Sequence, residues 1–259
     1  LRNDRAFSCA IKQQLVREVQ QSAMTSVKEL RDNLNQLVNR HYETPEMVRF
    51  YSFPMTVARA KVMLVHQLHF NMNRRDCWGY VQGSCPPDVK KLIWEHEKDE
   101  LFSDPRFGGD HHTASLQKAM KVTGLSAEEL YQADLAPGCK AAFRAWVHLA
   151  RDSAWLKALS GSTILERANN NRIVQGGGVS VRDYRRHTGE LRKLLEGVRG
   201  HDVHNVADED HSDMMEELLE RYAVTEEARS LVWEGAKDSL DFDRAFRGSI
   251  AVVLEPIGG

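Results

Sequence analysis

His201-Asp202-Val203-His204-Asn205-Val206-Ala207-Asp208-Glu209-Asp210-His211 is the stretch on which the reading of this chain turns. Within it His204, Asp208 and His211 stand at i, i+4 and i+7, and a helix of 3.6 residues per turn carries those positions onto one face. Two imidazoles and a carboxylate presented together suit a first-row transition metal. The residues that follow, Met214 to Tyr222, are strong helix formers with apolar side chains at helical spacing. The plain alternative is a solvated acidic face with histidines on it. A motif this short needs partners elsewhere before it counts as a site.

Outward from that stretch, the chain reads as helix after helix. Residues 4–41 keep apolar positions at a spacing of three to four, among them Leu15, Val19, Val27, Leu30, Leu34 and Leu37. Thr44-Pro45-Glu46 predicts an N-cap followed by proline at the first helical position, and Pro54 breaks the pattern. Further helices are expected over 57–82, 87–102 and from Asp110-His111-His112 to Lys121. A short one at Ser126 has the S-x-x-E of a capping box. One long helix is expected from Lys140 to Asn169, another over 181–195, the motif helix to Tyr222, and a last one from Thr225 to Arg247. Ile250 to Leu254 is read as a short apolar tail. Residues 169–178, Asn-Asn-Asn-Arg-Ile-Val-Gln-Gly-Gly-Gly, form a flexible connection, because the glycines lack the Lys-Ser/Thr of a phosphate loop. No strand-like alternation or internal repeat appears. The expectation is an all-α protein, a single domain over 1–259.

Composition narrows the function. The 259 residues carry a net charge of −2 with 42% hydrophobic and 28% charged residues, ordinary for a globular protein. Nothing in that balance suggests nucleic acid or an anionic membrane surface. Apolar runs fall short of the roughly 20 residues of a membrane span, and residues 1–10 lack the apolar region of a signal peptide. Cys9, Cys77, Cys85 and Cys139 contain no C-x-x-C pair, which argues against a zinc ribbon and for reduced, buried thiols. A cytoplasmic location is expected.

A two-metal carboxylate site needs inward-facing carboxylates as well as histidines. The candidates are Glu100, His112 and Glu166. Glu166 stands among Leu159, Ser160, Gly161, Ile164 and Leu165, where an unpaired carboxylate is costly to bury. The competing readings are concrete. Glu95, Glu97, Asp99 and Glu100 read most simply as a solvated helix end, His111 and His112 as polar capping residues, and Glu166 as the partner of Arg167 or Arg172. His96-Glu97 begins like a zinc-protease H-E-x-x-H, but Glu100 stands where the second histidine belongs.

With those residues in view, the chain from about 40 to 245 resembles the haem-oxygenase-like diiron oxidases, whose fold is shared with thiaminase II and pyrroloquinoline-quinone synthase. Asp99-Glu100 matches the family's Asp-Glu pair, and Glu166 its middle-helix glutamate. His204, Asp208 and His211 complete H-x3-D-x2-H. The run from His112 through Gly124-Leu125-Ser126-Ala127-Glu128-Glu129-Leu130 resembles the family's His-initiated helix, which favours His112 over His111. The interval from Glu100 to His112 is longer than in some relatives, and the 169–178 connection is expanded. The resemblance implies a helical bundle of about seven or more helices holding two Fe2+ ions. His112 and His211 would serve one iron, His204 and Asp208 the other, and Glu100 and Glu166 would bridge or chelate. It further implies O2 as co-substrate, a small amino-acid-derived or carboxylic-acid substrate, an external electron donor and a homodimer. The reactions implied are oxidative C–C or C–N chemistry, N-oxygenation or desaturation, in natural-product biosynthesis. Arg144, Arg151, Arg172 and Arg185 are candidate carboxylate anchors. Two rivals predict other outcomes: a metal-free acid–base enzyme of the same fold, and a helical interaction protein.

Overall fold

The computed structural model describes residues 26–102, 111–170, 172–174, 193–196 and 216–258, apart from the side chains of Asp99 and His111. Among them every regular element is a helix. In chain order these are α1 (Val27–His41), α2 (Pro45–Ser52), α3 (Val57–Ser84), α4 (Pro87–Leu101), α5 (His111–Thr123), α6 (Ala127–Tyr131), α7 (Pro137–Asp152), α8 (Trp155–Asn169) and α9 (Glu226–Leu254). Residues 216–222 are also helical. No described helix is long and apolar enough to cross a membrane.

Local chemistry sets the starts. Ser26, Thr56 and Thr225 each accept a backbone N–H from the third residue on, capping α1, α3 and α9. Ser126 and Glu129 form the expected reciprocal capping box on α6. Pro45, Pro87 and Pro137 occupy first-turn positions, where no intrahelical N–H is needed. Gly124, at φ 77°, follows the end of α5 in a conformation that disfavours side chains.

α3 is the spine. Buried residues run along it from Arg59 to Val81 over a broad face, and Lys61, Asp76 and Tyr80 mark the narrower exposed side. Phe70 stacks on Phe246 of α9 at 5.1 Å between ring centroids, with Trp146 of α7 edge-on to Phe70 at 5.4 Å. The Trp146 indole donates to Ser239 Oγ at 2.9 Å, so its buried N–H is satisfied. α8 and α9 cross closely at Gly161 and Gly235. A Cβ on Gly235 would stand 2.1 Å from the Lys157 carbonyl oxygen, and one on Gly161 only 2.5 Å from Leu149.

Two expectations need correction. Residues 140–169 are two helices, separated at Ser153–Ala154 where both backbones are extended; α8 turns back to pack on α7 and α9. Ile250 to Leu254 are the final turns of α9, whose buried face continues through Ile250, Ala251 and Leu254. Cys77, Cys85 and Cys139 are free and buried, and burial pushes the Cys77 thiol up to about 11. The expected helix over 4–25, most of 181–195 and Cys9 lie outside the described residues.

Candidate metal centre

α4 carries the acidic half of the site. Val89, Ile93, His96, Glu97 and Glu100 recur at helical spacing, and all are buried. One inward stripe therefore starts apolar and ends ionic. Glu97 and Glu100 are each only 9% exposed, whereas Trp94, on the other side of the helix, is 57% exposed. The acidic helix end is thus not a solvated face at these two positions. Trp94 does not share the face of Glu100.

α3 supplies the opposing cations. Arg75 Nη1 lies 2.9 Å from Glu100 Oε2 and 3.1 Å from Glu97 Oε1. Its neighbour Arg74 donates from Nη2 to the Ser162 carbonyl at 2.6 Å and to Glu166 Oε1 at 3.2 Å. Glu166 is 8% exposed on α8. Its partners include Arg74 and His96, whereas Arg167 turns away to Asn35 and Glu216 and the exposed Arg172 bonds Asn170 through its backbone N–H.

His96 sits where the three carboxylates meet. It donates from Nδ1 to Glu97 Oε1 at 2.9 Å, and its Nε2 is 3.8 Å from Glu166 Oε1. Burial by itself would depress this imidazole. The facing Glu166 carboxylate, the hydrogen bond to Glu97 and the charge of Glu100 outweigh burial and raise it to about 9. The ring lies 4.7 Å from the Trp78 centroid, and the Arg74 guanidinium stands 5.7 Å above the same indole. Arg74 Nη1 and Trp78 Nε1 are buried donors with no hydrogen-bond acceptor among the described residues.

Of the six expected ligands, Glu100 and Glu166 are brought together around His96. His112 stands in the first turn of α5, half-buried, its ring parallel to that of Tyr131 at 6.4 Å and its Nε2 3.3 Å from the Tyr131 hydroxyl. His204, Asp208 and His211 lie outside the described residues. Among the described residues no group of three or more His, Cys, Asp or Glu side chains stands in metal-holding geometry. The part that is described offers carboxylate oxygens, donors that iron accepts along with other divalent cations. Glu100 and Glu166 are oxygen donors from facing helices in an interior that must compensate their charge. The sequence reading missed Arg74, Arg75, His96 and Glu97. For the α4 pair a signal existed in the continuation of the Val89–Ile93 stripe; for the arginines there was none.

The helical segment 216–222 is tied down close by. Arg167 Nη1 donates to Glu216 Oε1 at 2.7 Å. Arg31 of α1 pairs with Glu216 and Glu220. Arg221 and Tyr222 both donate to Asp88 Oδ2 at the start of α4, at 3.0 and 2.6 Å.

A family model described as iron-containing redox enzyme covers residues 61–244, an interval that includes all six expected ligands. No curated protein matches the chain.

Proposed function

The chain belongs to the iron-containing redox enzymes of the haem-oxygenase-like superfamily, and from that premise we propose that it is an O2-dependent, non-haem diiron oxidase or oxygenase. The observation that carries this reading is the convergence of Glu100 and Glu166, from α4 and α8, on His96 inside the bundle. Those two glutamates would hold the metals together with His204, Asp208, His211 and one histidine of the 111–112 pair. Chain length supports the assembly. His211 lies five residues before Glu216, whose carboxylate accepts from Arg167 of α8; five residues span at most about 18 Å.

Bound iron supplies electrons and O2 activation, with an external donor restoring the reduced state. The protein's own groups bind and position. The substrate we assign is a small amino-acid-derived or other carboxylic acid, oxidised at a C–C, C–N or N centre in a natural-product pathway. Among the arginines considered from sequence, Arg144, Arg151 and Arg172 are exposed, Arg151 being paired with Asp152. Arg185 lies outside the described residues. Arg74 is better placed to anchor a carboxylate, since its Nη1 is buried beside Glu166 without an acceptor. Trp78 packs over His96 and Arg74 and keeps that corner dry.

Anaerobic Fe(II) titration tests the proposal. The wild-type chain is expected to bind two irons and then consume O2. Glu166→Gln is expected to bind at most one, or to bind at least tenfold more weakly. No iron uptake together with no O2 consumption would overturn the reading. It would favour instead a metal-free acid–base enzyme of this fold, for which the His96–Glu97–Glu166 cluster supplies proton-carrying groups.

A further inference from the structure

Arg75 reaches from α3 to both carboxylates of α4, with Nη1 in ion-pair range of Glu97 and Glu100 but without an aligned hydrogen bond to either. Charge rather than directional bonding holds it there. Its neighbour differs. Arg74 is fixed by a 2.6 Å bond to the Ser162 carbonyl and its side chain is 4% exposed, whereas that of Arg75 is 16% exposed. Arg75 is therefore the cation with the looser hold and the route outward. A guanidinium stays charged at any accessible pH, so it cannot leave Glu100 by losing a proton; it has to move.

Iron on Glu100 would bring a divalent cation close to this fixed monovalent one in a weakly screened interior, where like charges repel strongly. Resting on the ligand role given to Glu100 above, we propose that Arg75 competes with iron for the Glu100 carboxylate, withdraws when the metal binds, and so sets the iron affinity of the site. A residue that only oriented its ligand would have the opposite signature. Removing such a partner typically weakens metal binding 10- to 100-fold, whereas removing a competitor tightens it.

The test is Fe(II) affinity and thermal melting of wild type, Arg75→Met and Arg75→Lys. Arg75→Met is expected to bind Fe(II) at least tenfold more tightly than wild type and to melt lower without iron, with added iron closing that gap. Arg75→Lys, which keeps the charge, is expected to stay within threefold of wild type. Equal or weaker binding by Arg75→Met overturns the competition while leaving the iron site standing. Failure of every protein, wild type included, to bind iron removes the site itself and the competition with it. A readout on wild type guards against misfolded variants: Arg75 is expected to react faster with an arginine-selective dicarbonyl once Zn(II) or Fe(II) is bound. Slower or unchanged labelling overturns the proposal.

Discussion

At the scale of the residue, the proposed diiron centre has two neighbouring histidines to draw on, His111 and His112. His112 already places Nε2 against the Tyr131 hydroxyl and its ring parallel to the tyrosine. Serving as a ligand through Nε2 would cost that contact. His111→Ala is therefore expected to lose at least one iron equivalent in anaerobic titration, and His112→Ala to bind as wild type; the reverse pattern would return the role to His112. Sequence made some of these residues legible and hid others. Glu166 stood out because a carboxylate among Leu, Ile and Gly has to be compensated. Glu97 and His96 did not, because a run rich in Glu, Lys and Asp reads as a solvated face. Only the alignment of these residues with Val89 and Ile93 distinguishes the buried members from Glu95 and Lys98. Arg74 and Arg75 carried no signal, since which arginine of a helix faces inward depends on the packing of the whole bundle.

At the scale of the element, the helices were legible where caps and prolines mark them and illegible where tertiary packing decides. The α2, α3 and α6 starts follow from Thr44-Pro45, Thr56 and Ser126, whereas Ser26 caps α1 inside a run that reads as one helix from 4 to 41. The break between α7 and α8 has no proline or glycine within Asp152–Trp155 to announce it. It exists because α8 has to return along α9, and the close crossing at Gly161 and Gly235 makes that return worth the lost helical hydrogen bonds. Gly235→Ala is expected to destabilise the protein by about 3 kcal/mol, the upper end for overpacking, because its new methyl meets the backbone of Lys157 rather than a movable side chain. Chemical denaturation would show a lower midpoint with an unchanged slope. An undisturbed midpoint would mean that the two helices can slide apart at little cost.

At the scale of the whole molecule, a second buried ionic group binds α1 to α9. His41 of α1 meets Asp243 of α9 at 2.9 Å, and Arg247 donates from Nε to both Asp243 oxygens at 3.0 and 2.9 Å. Burial pushes the Asp243 carboxyl up, but the charge of Arg247 and the hydrogen bond and charge of His41 overcome it and hold the group at about 2. An unfolded aspartate titrates near 3.9. This carboxylate therefore contributes stability above about pH 4 and loses that contribution as pH falls toward 2. Asp243→Asn is expected to cost about 3–5 kcal/mol at neutral pH, since it leaves Arg247 buried without its counter-charge. Melting curves of the variant should also flatten between pH 4 and 2, where wild type declines. The crossing of α8 with α9 has a consequence of another kind. During synthesis on the ribosome, the helix that carries Glu166 emerges long before Gly235, and its small-residue groove then has no partner. The groove can be filled only after some seventy further residues have been translated, so a nascent chain holds half of the proposed ligands well before it holds the wall that supports them. Iron delivered to that nascent chain would meet an unfinished cradle, and loading belongs after release.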